Sequence, residues 1–342
     1  MSSFANRERL AIASSLSFLS NSLRLRSNFF RDDNRSFLSL RVNCLNCHEG
    51  RVLNVLPSPA RAVLQLKIEK ALHIISQFNG AVVALSAGVD SSLVAALAHK
   101  ALGNRVVAVT AVSESLAPGE IEIAKKTARR IGIRHIIVTT DEVHNVSYKA
   151  NPLNRCYYCK DTLYRELRRQ ADNSRLETIL DGTQLDDFGD IRPGFLAAKE
   201  AGVRSPLAEA GFSKKDVRET ARLLGLEVWD KPAMPCLSSR IPHGEEITIQ
   251  KLSQVGQAES IVRRLSGARD IRVRHHGKVA AIEVTQDELP LFHQDGLMNL
   301  VEKELQLIGF TSLTLGPRKY PSRQDTIPLG QDHLLPIIDT SK

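Results

Sequence analysis

The feature that most constrains this chain is an apolar run, Ala81–Ser86, that ends in Ser86-Ala87-Gly88-Val89-Asp90-Ser91-Ser92 and passes directly into a helical pattern, Asp90–Leu102, closed by Gly103. A strand buried on both faces reads as continuous apolar residues, and its parallel neighbour is reached through a crossover helix. The same unit recurs. Arg105–Ala111 reads as a strand, Pro118–Ile131 as a helix closed by Gly132, and His135–Thr139 as a strand. Cys159–Gln170 follows as a helix and Glu177–Asp181 as a strand. A helix precedes them, opening at Ser58-Pro59 and carrying Leu64, Ile68, Leu72, Ile75 and Phe78 on one face; Ser suits an N-cap and Pro the first helical position. Another opens at Ser213, where Ser213 and Asp216 resemble a capping box. The predicted fold is therefore α/β, a doubly wound parallel sheet.

From about Pro232 the pattern changes to a helix near Thr248–Leu265, strands Asp270–His275 and Lys278–Thr285 turning at His276-Gly277, a helix near Gly296–Leu307 and a strand Ser312–Leu315. This predicts a smaller C-terminal α+β domain. The expected organisation is an N-terminal extension over 1–57, the parallel-sheet domain over 58–232, the second domain over 233–320 and a tail over 321–342.

The formal net charge of +8 is unevenly spread. Residues 1–43 hold seven Arg against Glu8, Asp32 and Asp33, with ten Ser and no Lys. That composition is the signature of an organellar transit peptide, so a chloroplast or mitochondrion is the expected destination, with a cytoplasmic protein as the alternative. The remaining +4 is too small for a nucleic-acid footprint. No run of about 18 apolar residues occurs, so a membrane-spanning helix is excluded. Five cysteines are too few for a disulfide framework. Cys44-Leu45-Asn46-Cys47-His48 matches the haem-attachment pattern C-x-x-C-H but lies in the poorly patterned extension.

The turn after the first strand is a candidate phosphate loop. Its small residues let backbone N–H groups converge on an anion at a helix N-terminus, with Ser86, Gly88, Ser91 and Ser92 as contacts. Asp90 would act through Mg²⁺. No Walker or G-x-G-x-x-G pattern is present. A second acidic stretch, Asp181-Gly182-Thr183-Gln184-Leu185-Asp186-Asp187, follows a strand at the edge where open α/β sheets bind ligands, and its carboxylates suit Mg²⁺ or ribose hydroxyls. Cys156 and Cys159 stand at a helix N-terminus beside Arg155 and Lys160, which should depress their pKa values. Cys236 lies in a Pro-stiffened, Arg-flanked segment and reads as a reactive thiol; buried structural thiols are the alternative for the pair. Arg272, Arg274 and His276 alternate on one strand face roughly 7 Å apart, a spacing that can grip phosphate or carboxylate, with Arg240 as a further anion contact.

The loop resembles the pyrophosphate loop of the N-type ATP pyrophosphatases, S-G-G-x-D-S, with Ala87 where Gly is usual; a Cβ there is expected to narrow the approach to phosphate. The strings N-P-x-x-R-C-Y-x-C-K, D-G-T-x-x-D-D, D-x-R-P-G, W-D-K-P-A-x-x-C-L-x-S-R and R-V-R-H-H-G, in order over residues 65–320, are similar to those of the LarE-type ATP-dependent sacrificial sulfur transferases. Gln184 replaces the usual Asn, and Met234-Pro235 stand where small residues are common. The resemblance implies the adenine nucleotide alpha hydrolase-like fold, ATP and Mg²⁺, and a nucleotide-like small-molecule substrate. It also implies a homo-oligomer, and adenylation of a carboxylate of a pyridinium dicarboxylate mononucleotide. Cys236 matches the sacrificial sulfur donor. Members with all three cysteines are associated instead with an iron–sulfur cluster, so Cys156, Cys159 and Cys236 are also expected as ligands of a [4Fe-4S] cluster, the version favoured at this point. Arg272 and Arg274 match the family's substrate-phosphate positions. A tRNA thiolase, a non-catalytic nucleotide-binding protein and a haem carrier are the competing readings; neither nucleic acid nor membrane is expected as a partner.

Overall fold

The computed structural model describes residues 59–189 and 193–318. The transit-peptide segment, Cys44, Cys47 and most of the tail lie outside the described residues, as do Asp190, Ile191 and Arg192 of the D-x-R-P-G string.

Helix α1 (Pro59–Ser76) leads into β1 (Ala81–Ala84), α2 (Val89–Leu102), β2 (Val106–Val112), α3 (Glu120–Ile131) and β3 (Arg134–Thr139). The chain continues through a short α4 (Val146–Lys149), then α5 (Arg155–Asn173), β4 (Thr178–Leu180), α6 (Pro193–Glu200), α7 (Pro206–Ala210) and α8 (Lys214–Leu223). The four strands form one parallel sheet in the order β3-β2-β1-β4, with Ala81 opposite both Val106 and Thr178. Leu64, Ile75, Leu93, Leu97, Phe212 and Val217 belong to the apolar layer on one face, and Tyr164, Leu167 and Ala197 to that on the other. Helices on both faces are what a sheet of Val- and Ala-rich strands requires. Among the described residues, no helix is long and apolar enough to cross a membrane.

The second part contains α9 (Ile249–Ser266), β5 (Arg272–His276), β6 (Val279–Val284), α10 (Leu297–Leu307) and β7 (Ser312–Pro317). β5 and β6 pair antiparallel and β6 and β7 parallel, with Val273, Ala280, Ile282 and Phe310 in the core. The two sheets belong to one compact unit. A small core of Tyr148, Val143, Leu237, Ile241, Leu252 and Val255 joins them, and a Cβ on Gly256 would meet Leu237 at 3.2 Å and Pro118 at 3.4 Å. That close approach brings α9 against the carboxyl edge of the parallel sheet.

Strand order decides where a ligand can sit. From β1 the chain steps to β2 and β3 on one side, then crosses to β4 on the other, so the crevice between β1 and β4 is the topological switch point. Both acidic sequence motifs open into it.

Candidate functional site

The loop between β1 and α2 is shaped by local bonds. Ala87 has a left-handed backbone, φ 60°, which costs an L-residue about 1–2 kcal/mol. Lys231 Nζ donates to Ala87 O at 3.0 Å and to Glu120 Oε2 at 2.6 Å, tying the loop to the segment that leads to Cys236. Ala87 is 1% exposed and belongs to the apolar core, so its side chain does not narrow the approach to phosphate, contrary to the sequence expectation. Gly88 caps α2 without a side-chain bond to the first-turn N–H groups, leaving the positive end of the helix open to an anion. Ser91 Oγ accepts the Ser86 N–H at 3.1 Å and lies 3.2 Å from Ser86 Oγ. Ser91 and Ser92 donate to Gly88 O at 3.1 and 2.8 Å. Ser92 is fully buried, so its hydroxyl builds the loop and does not reach a ligand as expected, whereas Ser86 is exposed.

Gly182 presses against this loop: a Cβ there would lie 2.7 Å from Ser91 N and 2.9 Å from Asp90 C. Asp181 accepts bonds from Ser205 Oγ at 2.7 Å, Thr183 Oγ1 at 2.9 Å, Thr183 N at 3.1 Å and Tyr164 OH at 3.3 Å. Its carboxylate is thus engaged by the protein, and Asp181 and Thr183 act as the frame of the second loop. Gln184, buried, turns its Oε1 onto Asp186 N at 2.9 Å. Asp90 is placed differently. Its Oδ2 meets the Lys214 ammonium, while Oδ1 is buried with no partner. An orphaned carboxylate oxygen at a phosphate loop fits a hard divalent cation, so Asp90 would hold Mg²⁺. Lys214, the first residue of α8 after its Ser213 cap, is the site residue that local patterning missed. The capping box of Ser213 and Asp216 is present and fixes the start of α8, and Lys214 N donates to Asp186 Oδ2 at 2.8 Å.

The two cysteine motifs interlock. Asn151 Nδ2 donates to Pro242 O at 2.7 Å, Arg155 Nη1 to Ser238 O at 3.1 Å and to Asn151 Oδ1, and the Tyr148 hydroxyl bonds Ser238 Oγ. Leu237 N donates to Ser115 O at 2.8 Å, which seats the Cys236 loop above the end of β2. Helix α5 begins at Arg155, earlier than the sequence suggested, so Cys156 and Cys159 both lie in its first turns. Cys156 is exposed and Cys159 partly buried against Leu237 and Tyr148. The expected lowering of the pair's pKa values by Arg155 and Lys160 is corrected for Cys159, where the pull of Lys160 is outweighed. Burial first, then the neighbouring Cys236 and Glu142, push its thiol up to about 12. Arg155 is buried and engaged with Asn151 and the Cys236 loop. Among the described residues no group of three or more His, Cys, Asp or Glu side chains is arranged to hold a metal ion, so the expected [4Fe-4S] ligand set of Cys156, Cys159 and Cys236 finds no support in the structure.

Arg240 also departs from expectation. It is 1% exposed, pairs with Glu259 through Nε at 2.7 Å and Nη2 at 3.3 Å, and donates from Nη1 to Pro235 O, Cys236 O and Ser239 Oγ. Every nitrogen of its guanidinium is engaged, so it shapes the cysteine loop and does not contact a substrate. Arg272 and Arg274 do share the outer face of β5, with Val273 and His275 turned to the core. Arg274 Nε pairs with Glu283 Oε1 at 2.6 Å. Arg272 has a buried Nε without a partner, and burial together with Arg318, Arg240 and Arg274 lowers its pKa. A desolvated guanidinium among like charges has an unmet demand for an anion. A cleft of about 480 Å³ lined by Lys231, Met234, Arg263 and Arg269 and one of about 580 Å³ at the end of β3 both have linings that include none of the candidate residues.

Comparison with known proteins adds the following. The family described as NAD synthase matches residues 62–162. An uncharacterised protein of Synechocystis sp. is 46% identical over 260 residues, covering 76% of this chain and 97% of that protein. The pyridinium-3,5-bisthiocarboxylic acid mononucleotide synthase of Lactiplantibacillus plantarum is 36% identical over 255 residues, 74% of this chain and 91% of that protein. A component of the glutamine-hydrolysing GMP synthase of Archaeoglobus fulgidus is 29% identical over 194 residues, 53% of this chain and 63% of that protein.

Proposed function

The chain belongs to the LarE-type family of ATP-dependent sulfur transferases, and from that premise we propose that it adenylates a carboxylate of a pyridinium dicarboxylate mononucleotide and replaces a carboxylate oxygen with sulfur from Cys236. The observation that carries this reading is the seating of the Cys236 loop. One bond from Leu237 N to Ser115 O and the Lys231 bridge to Ala87 O hold the thiol-bearing segment over the same sheet edge as the phosphate loop.

The open end of α2, Gly88 and the Ser86 hydroxyl receive the phosphates of ATP. Mg²⁺ on Asp90 would neutralise charge on the departing pyrophosphate. Lys214, displaced from Asp90, supplies a cation to the same oxygens. The substrate carboxylate attacks the α-phosphorus and pyrophosphate leaves. Arg272 holds the substrate's anionic end, with Arg274 beside it. The Cys236 thiolate then attacks the acyl carbon, AMP departs with the electron pair of the C–O bond, and a thioester remains. Loss of the Cys236 Cα proton and cleavage of its Cβ–S bond release the thiocarboxylate and leave dehydroalanine in the chain.

Purified protein with ATP, Mg²⁺ and the pyridinium dicarboxylate mononucleotide should release pyrophosphate and AMP, and the peptide containing residue 236 should lose the mass of one H₂S. Thiocarboxylate formed over many turnovers with Cys236 intact would overturn the assignment of the sulfur donor. Absence of pyrophosphate release, with Asp90→Ala as the comparison, would overturn the adenylation step.

A further inference from the structure

We infer that Glu259 is a positioning residue that couples the Cys236 loop to the arginine strand β5, so that an anion held at Arg272 and Arg274 is registered at the sulfur donor. Glu259 lies on α9 with its side chain 1% exposed, and it bonds in two directions. Toward the cysteine loop, Oε1 accepts Arg240 Nε at 2.7 Å and Oε2 accepts Nη2 at 3.3 Å. Arg240 in turn holds Pro235 O at 2.9 Å and Cys236 O at 3.3 Å. Toward the strand, the same Oε1 accepts Val273 N at 3.1 Å.

Val273 stands between Arg272 and Arg274 on β5, among the described residues an edge strand paired only with β6. Capture of the Val273 N–H by a side chain from α9 fixes β5 to the cysteine loop through one carboxylate. A second link runs in parallel, Arg274 Nη1 donating to Ser239 O at 3.4 Å. The chain of bonds Cys236 O, Arg240, Glu259, Val273 N is therefore short, buried and charged. In a low-dielectric interior such a link is stiff, because breaking it strands an uncompensated charge. A carboxylate serving only to pair Arg240 would not need the Val273 amide. One serving only to cap β5 would not need Arg240.

The inference rests on the reading of Arg272 and Arg274 as the anion site, but its test needs neither ATP nor turnover, so failure of the proposed reaction would not touch it. Alkylation of Cys236 by iodoacetamide, mapped by peptide mass, is measured with and without saturating nicotinate mononucleotide as the anionic probe, whose binding is followed by calorimetry. In the unaltered protein the probe should slow alkylation about fivefold or more, the lower end of ordinary site-to-site coupling, and Arg272→Ala should lose that protection. Glu259→Gln should still bind the probe while protection shrinks to within about twofold.

Because Glu259→Gln strands the buried Arg240 charge, the double variant Arg240→Met with Glu259→Leu serves as the foldable comparison, since apolar replacement of a buried pair is often neutral for stability. It should melt like the parent and show no protection. Full protection in that variant would overturn the inference. Hydrogen exchange on the unaltered protein provides an answer that needs no variant. The Val273 amide and the amides of residues 237–240 should slow together when the probe binds. Slowing at Val273 alone would overturn the coupling.

Discussion

Gly182→Ala probes the contact between the two loops at the switch point. The added Cβ would lie 2.7 Å from Ser91 N, 2.9 Å from Asp90 C and 3.0 Å from Asp90 Cβ, and two of these three are backbone atoms that cannot rotate away. Reaching ordinary contact near 3.4 Å moves the Ser91 nitrogen by about 0.7 Å, and sub-ångström to ångström misplacement of reacting groups costs roughly 10- to 100-fold in rate. The overpacking itself costs about 1–3 kcal/mol, a fall in Tm of roughly 2–4 °C per kcal/mol for a domain of this size. Pyrophosphate release from ATP and thermal melting are measured on the variant and on two comparisons. Gly316→Ala meets nothing within 4 Å and should match the parent in both. Gly88→Ala meets only Ser86 Oγ, at 3.6 Å, and has an extended backbone that Ala accepts, so it should melt like the parent yet bind ATP more weakly, its methyl standing where phosphate approaches. If Gly182→Ala melts and turns over like Gly316→Ala, the close packing of the two loops does not set the geometry of Asp90 and Ser91, and the account of the site fails.

Cys159 and Cys236 give two further expectations. The raised pKa of Cys159 keeps it protonated through neutrality, so iodoacetamide should label exposed Cys156 well before it at pH 8. The sign for stability follows: a thiol whose folded value exceeds its unfolded one stabilises the fold below about pH 9, and that contribution declines between about pH 9 and pH 12. Cys159→Ala should therefore flatten the alkaline limb of the stability curve; an unchanged limb would refute the burial argument. Cys236→Ala should melt within about 2 °C of the parent, as substitutions that spare buried networks do, and should release pyrophosphate without forming thiocarboxylate. Thiocarboxylate from that variant would remove Cys236 from the reaction.

The alternating strands and helices were legible because their signals are local: apolar runs, Gly at helix ends, Ser at a cap. The Arg272 and Arg274 face was legible for the same reason, since a strand alternates every residue. Arg240 was misread as a substrate contact because nothing near it in sequence announces Glu259, nineteen residues on, as its buried partner. Lys214 was passed over because its partner Asp90 is 124 residues away. Arg155 looked like an activator of thiols, and only the fold shows its guanidinium turned to Asn151 and Ser238 O. Ala87 was misjudged in direction: a left-handed backbone turns its methyl inward, and sequence does not carry the sign of φ.

The bonds that seat the cysteine loop grip its backbone, through Cys236 O, Leu237 N and Ser238 O, and none of these bonds uses the sulfur. In the proposed reaction, a molecule that gave up that sulfur would keep every one of these attachments. Its melting behaviour and its nucleotide loop would then be those of a fresh molecule, and quality control that senses unfolding would have nothing to detect. Spent and unspent copies would accumulate side by side and compete for the same ATP and the same substrate, and the useful dose of the protein would fall with age while its abundance would not.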